Sequence, residues 1–177
     1  MGSHSGRLAD ELDELGLWSH LPVHQRRGAH SAVAEGGYPF NIKTLIDWVF
    51  VDADVMAEGR GEQVLDELAP ILERHGVQLE VATVHDRGDV LLIINGIGCR
   101  VTDTVSDPLP ATLQPLGVVN HFLERSGAST RVHLLYAGTN YGVVHLLRPE
   151  VVQAVRRAGT FPDYEIPELV EPYLGHP

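Results

Sequence analysis

Two aspartates at the end of an apolar run are the first residues of this chain whose types and spacing could do chemistry. Trp48-Val49-Phe50-Val51 leads into Asp52-Ala53-Asp54. Paired carboxylates at a strand end offer the oxygen ligands that a hard divalent cation takes. Cys99 is the only thiol, and ten histidines could serve it as base. His133 and His145 fall in two consecutive strand-like stretches. If paired positions there sum to 278, the imidazoles face each other and suit a metal, with His121 or an acid completing the set. Each feature also has a plainer structural use: a polar strand end, a small buried hydrophobe, and core histidines with hydrogen-bond partners.

The apolar strand ending in Asp-x-Asp resembles the first motif of the haloacid-dehalogenase-like phosphotransferases. The resemblance implies that Asp52 attacks phosphorus, that Asp54 handles the proton and that both help to hold Mg²⁺. It covers only Trp48 to Asp54, and the chain departs from the pattern downstream. Val55 is followed by Met56, the only lysine, Lys43, lies upstream, and Gly88-Asp89 lacks a second acid. Other catalytic signatures are missing. No Gly-x-Ser-x-Gly elbow and no Gly-Lys-Ser/Thr phosphate loop occurs. Gly96-Ile97-Gly98 falls in a predicted hairpin rather than at a strand-to-helix crossing, which argues against a dinucleotide loop.

Charge narrows the partners. The 177 residues carry a formal charge of −11, and 12 of the 13 basic residues are Arg. Affinity for a phosphate backbone comes from clustered cations, so direct nucleic-acid binding is not expected. Arg26-Arg27 and Arg156-Arg157 are isolated pairs read as solvated. One cysteine permits no intrachain disulfide and fits a reducing compartment. No apolar stretch follows Met1 to Arg7, so a secretory signal is not expected, and the longest apolar runs are too short for a bilayer. The expected setting is cytoplasmic, with no membrane association and no cofactor.

The elements that must position these residues follow from periodicity. Leu8, Leu12 and Leu15 predict a first helix ended by Gly16. Residues 19–39 hold scattered histidines, prolines and glycines, and read as a loop or poorly ordered arm. A strand is predicted over 45–51 and a helix over 62–75, with Pro70 kinking or splitting that helix. Strands follow at 77–84 and 90–94, joined by a turn at 86–89. Asn95-Gly96 predicts a type I′ hairpin that pairs Ile94 with Ile97, Leu92 with Cys99 and Val90 with Val101. Apolar residues on both faces of 90–94 predict a central strand covered on each side. After a loop over 102–110 come a helix over 111–125, strands over 131–137 and 142–147, and a last helix begun by Pro149.

Leu72-Glu73-Arg74-His75-Gly76 and Leu123-Glu124-Arg125-Ser126-Gly127 share four letters of five, and each precedes a predicted hairpin. A duplicated helix–hairpin unit over 62–101 and 111–147 is one explanation, and a common helix ending is the other. The fold class expected is α+β, one domain with a mainly antiparallel sheet and helices packed on it. Residues 1–44 form an N-terminal helix and arm, 45–160 the core, and 161–177 an acidic, proline-rich tail. The function expected is that of an acidic binding or regulatory protein, such as an inhibitor or immunity-like factor, with a basic protein partner. Its contact residues would be Asp163, Glu165, Glu168 and Glu171, which no basic residue of the tail neutralises. The alternative is a small metal-assisted hydrolase or phosphotransferase using Asp52 and Asp54.

Overall fold

The computed structural model describes residues 4–86, 89–101 and 108–174. Its first helix, α1 (His4–Glu14), buries Leu8, Ala9 and Leu12. A second helix, α2 (Val23–Ala34), occupies the segment that composition reads as loop. Its buried residues are few, Ala29 and Val33, so periodicity does not reveal it. Contacts with α1 hold it instead. Arg26 grips Asp13 through two hydrogen bonds of 2.5 and 2.9 Å, and His30 meets Asp10 at 2.8 Å.

Strand β1 (Trp48–Asp52) is followed at once by a short helix, α3 (Ala53–Ala57), and then by α4 (Glu62–Arg74). Pro70 neither kinks α4 into two helices nor ends it. Pro70 and Asp66 both face solvent, so water can satisfy the Asp66 carbonyl that the proline leaves without a donor. Strands β2 (Val81–Asp86), β3 (Asp89–Ile94) and β4 (Ile97–Val101) form an antiparallel meander with β3 central. The turn predicted at 86–89 lies partly outside the described residues. The Asn95-Gly96 hairpin has the predicted register, with φ of 47° and 84° at the two turn residues. Only one face of β3 is fully covered, however. Leu92 and Ile94 are buried, while Leu91 and Ile93 are half-buried. Leu91 reclines over Gly98, whose missing side chain leaves the space.

Helix α5 (Pro108–Arg125) then packs against both the meander and the next strand. Of the loop predicted over 102–110, residues 108–110 are helical and the others lie outside the described residues. Strands β5 (Arg131–Leu135) and β6 (Tyr141–Leu147), helix α6 (Pro149–Ala158) and the short strand β7 (Glu168–Leu169) complete the chain. The second sheet is antiparallel with order β1-β6-β5-β7. So the fold is α+β, with six helices among the described residues, and the described strands divide into two sheets. The four-stranded sheet is a middle layer. Val49, Val51, Val132, Leu134, Val144 and Leu146 face a core shared with α4, α5 and the meander. Leu147 and Trp48 face a second core built by α1, α2, α6 and Phe40. No helix among the described residues is long and apolar enough to cross a membrane.

The shared pentapeptide has a local cause. At Gly76 (φ 80°), the Gly76 N–H donates to Glu73 O and the Val77 N–H to Leu72 O. At Gly127 (φ 75°), the Gly127 N–H donates to Glu124 O and the Ala128 N–H to Leu123 O. This is the Schellman helix ending, which needs a left-handed residue after the last turn. The same pair of bonds closes α1, from Gly16 to Asp13 O and Leu17 to Leu12 O, and α2, from Gly36 to Val33 O and Gly37 to Ala32 O. Four helices thus share one termination. The units after the two pentapeptides differ, since α4 leads into a separate three-stranded sheet and α5 into the centre of the other.

Candidate functional site

The C-terminal segment is docked on the body. Asn120, fully buried on α5, accepts from the Val132 N–H at 2.6 Å and donates to Val132 O at 3.0 Å and Val170 O at 2.6 Å. One amide side chain therefore joins the helix to β5 and the tail. Gly117, one turn earlier, lets the tail cross α5, because a Cβ there would lie 2.6 Å from Glu171 O. Tyr38 adds a bond of 2.6 Å to Glu165 O, and Ile166 and Val170 are buried. Held this way, Asp163, Glu168 and Glu171 are exposed and Glu165 is half-exposed. None of the four forms an ion pair with another described residue. Tyr164, Leu169 and Leu174 are exposed among them. Next to this strip, Leu109, Leu113, Leu134, Glu168, Glu171 and Tyr173 line a groove of about 320 Å³.

Asp52 and Asp54 sit at the β1–α3 junction. The Asp52 Oδ1 accepts the N–H of Asp54 at 3.0 Å and of Val55 at 3.3 Å, so this carboxylate is the N-cap of α3. Asp54 is exposed in the first turn of that helix, where an acid complements the helix dipole. Cys99 is 1 % exposed, and burial pushes its thiol up to about 12. His133 and His145 face each other across β5 and β6, in the register that sums to 278. Both are buried, and burial pulls each down to about 4. His133 Nδ1 lies 3.0 Å from Arg131 O, whereas neither ring nitrogen of His145 has a partner among the described residues. No third His, Cys, Asp or Glu joins them within the described residues as a metal set would require.

A further cluster joins three segments. His75, the residue that caps α4, places Nε2 2.9 Å from Asp47 Oδ2 and Nδ1 3.1 Å from the Thr130 hydroxyl. Arg74 donates to the other Asp47 oxygen at 2.6 Å. A carboxylate accepts only, so Nε2 carries the proton toward Asp47, and in the neutral imidazole Nδ1 is then the acceptor for Thr130. Asp47, His75 and Thr130 line a cavity of about 270 Å³, with Leu17, Leu45 and Arg148 among its other walls. The side chains of Asp47 and His75 are 18 % and 20 % exposed, so solvent reaches the cluster. Asp47 was visible in the sequence only as the one acid in the apolar run 45–51.

The chain matches no protein-family model, no curated protein and no solved structure.

Proposed function

We propose that this protein binds a basic protein segment through its C-terminal strip. The observation that carries the reading is the set Asp163, Glu165, Glu168 and Glu171, held on a docked segment with no ion pair to another described residue. Most other acids near cations are already engaged: Asp13 with Arg26, Glu11 with Arg157 and Asp47 with Arg74. The strip therefore keeps its charge for a partner, and the −11 of the whole chain adds long-range attraction. Tyr164, Leu169 and Leu174 supply apolar contacts, so the fitting partner is a cationic segment with apolar residues interleaved. A binding or regulatory protein of a reducing compartment, acting as an inhibitor or immunity-like factor, fits these features.

The test is capture of partners from native cell extract by wild type and by a variant with Asp163→Asn, Glu165→Gln, Glu168→Gln and Glu171→Gln. Wild type should retain a stoichiometric partner at low salt and lose it toward 1 M salt, where the screening length falls to about 3 Å. The variant should fail to capture it at either salt. A partner held equally by both proteins, with equal salt dependence, would show that the strip is not the contact surface. Mg²⁺-dependent turnover of a phosphate ester, lost in Asp52→Asn, would favour the phosphotransferase alternative instead.

A further inference from the structure

We infer that Asp47, His75 and Thr130 form a hydroxyl-activating relay for acyl transfer from small apolar esters, independent of the C-terminal strip. The parts and their order are those that nucleophilic catalysis requires: a hydroxyl bonded to a base, and a base oriented by a carboxylate. Arg74 holds the other oxygen of Asp47, which fixes the carboxylate with Oδ2 toward Nε2. The protonated Nε2 makes Nδ1 the acceptor, and Nδ1 is the atom that faces Thr130.

The cavity defines the substrate class. Its volume of about 270 Å³ lies just under the usual range for small-molecule clefts, so the acyl group is short. Leu17, Leu45, Leu147 and Val151 line it, so that group is apolar. Arg148 also lines the cavity, held by a 2.9 Å bond to Leu15 O and by Glu150 at 3.7 Å, and is the lining cation that would face the oxygen that becomes negative. In the reaction, Thr130 Oγ forms a bond to the ester carbonyl carbon as its proton passes to His75 Nδ1. The carbon–alkoxide bond then breaks, and the alkoxide leaves as alcohol with the proton from Nδ1. A water molecule, deprotonated by Nδ1, attacks the acyl-threonine. The acid departs, and Thr130 recovers its proton from His75. Asp47 is a positioning residue in this scheme, and Thr130 and His75 are catalytic.

Two measurements test it. In the first, wild-type protein is treated with an alkyl fluorophosphonate, and the adduct is located by peptide mass spectrometry. Phosphonylation of Thr130 with loss of fluoride is expected, and labelling elsewhere or nowhere overturns the inference. In the second, turnover of p-nitrophenyl butyrate is compared among variants whose melting curves match wild type. Thr130→Val should lower kcat about a hundredfold or more, the usual scale for an assisted proton transfer. Thr130→Ser should keep turnover within a few-fold. Asp47→Asn should lower kcat and leave KM unchanged, because an amide N–H facing Nε2 forces the proton onto Nδ1. Equal turnover in Thr130→Val and wild type, or none in wild type, overturns the inference. The four-acid variant used to test partner capture touches none of these groups, so the two readings stand or fall separately.

Discussion

Cys99 and Asp52 show how a residue that could do chemistry is taken up by structure. The Cys99 thiol faces Leu92 across β3 and β4, and burial holds it protonated up to about pH 12. A protonated thiol is a poor nucleophile, so native protein at pH 8 should react with a thiol reagent at least about a hundredfold more slowly than denatured protein. Comparable rates in the two states would place Cys99 at the surface. This position was legible in the sequence, because Asn95-Gly96 sets the register and the register sets the neighbours. Asp52 was legible as a residue at a strand end but not as a cap. The helix that it caps is five residues long, too short for a periodic apolar face to announce it.

At the scale of elements, the contact between α5 and the tail depends on one missing side chain and one buried amide. Asn120→Ala removes the partner of the Val132 N–H and of Val170 O together. Stranding two buried backbone groups should cost about 2–5 kcal/mol. Gly117→Ala should act on the same contact from the other side, because the new Cβ collides with Glu171 O and with Tyr173. Both variants should lose amide-exchange protection over 166–174 before the four-stranded sheet does, measured by mass spectrometry. Unchanged protection there would mean that other contacts, such as Tyr38 to Glu165 O, suffice to hold the tail. Neither Gly117 nor Asn120 announces this role in sequence. A glycine inside a helical pattern reads as a weakness, and an asparagine as a polar position. The same holds for α2, whose two arginines and two histidines hide a helix fastened by the Arg26–Asp13 ion pair, the His30–Asp10 hydrogen bond and the burial of Ala29 and Val33.

The whole molecule carries a pH dependence set by its central layer. His133 and His145 lie buried between the four-stranded sheet and the helices over it, and each titrates near 4 instead of the ordinary 6.5. Burial is the main cause for both. At His133 the Arg131 backbone hydrogen bond opposes this and the charges of Arg156 and Arg131 add to it; at His145 the neighbouring His133 lowers the value further. Because the folded values lie below the unfolded ones, the unfolded chain binds the protons first. Stability is therefore full above about pH 6.5 and falls as pH drops toward 4. The slope should be about 1.4 kcal/mol per pH unit for each histidine, or roughly twice that for the pair. Asp13 is lowered below 3.8 by the Arg26 hydrogen bond, so its own contribution is lost only at lower pH. Urea midpoints measured between pH 7.5 and 4.5 should show this loss, and His145→Leu should reduce the slope by about half. A flat profile would mean that both rings reach solvent.

What the sequence by itself determined is what short-range chemistry determines. Apolar periodicity placed α1, α4, α5 and α6, and turn residues with positive φ set the β3–β4 hairpin and the helix endings. These features depend on residues only a few positions apart. The tertiary structure alone decided that the strands form two sheets, that α2 exists, and that the tail joins the sheet beside β5. It also brought Asp47, His75 and Thr130 together across separations of 28 and 55 positions. No local pattern encodes such a meeting. It follows from where two packed cores leave the start of β1, the cap of α4 and the start of β5, and packing of that kind is settled by the whole chain at once.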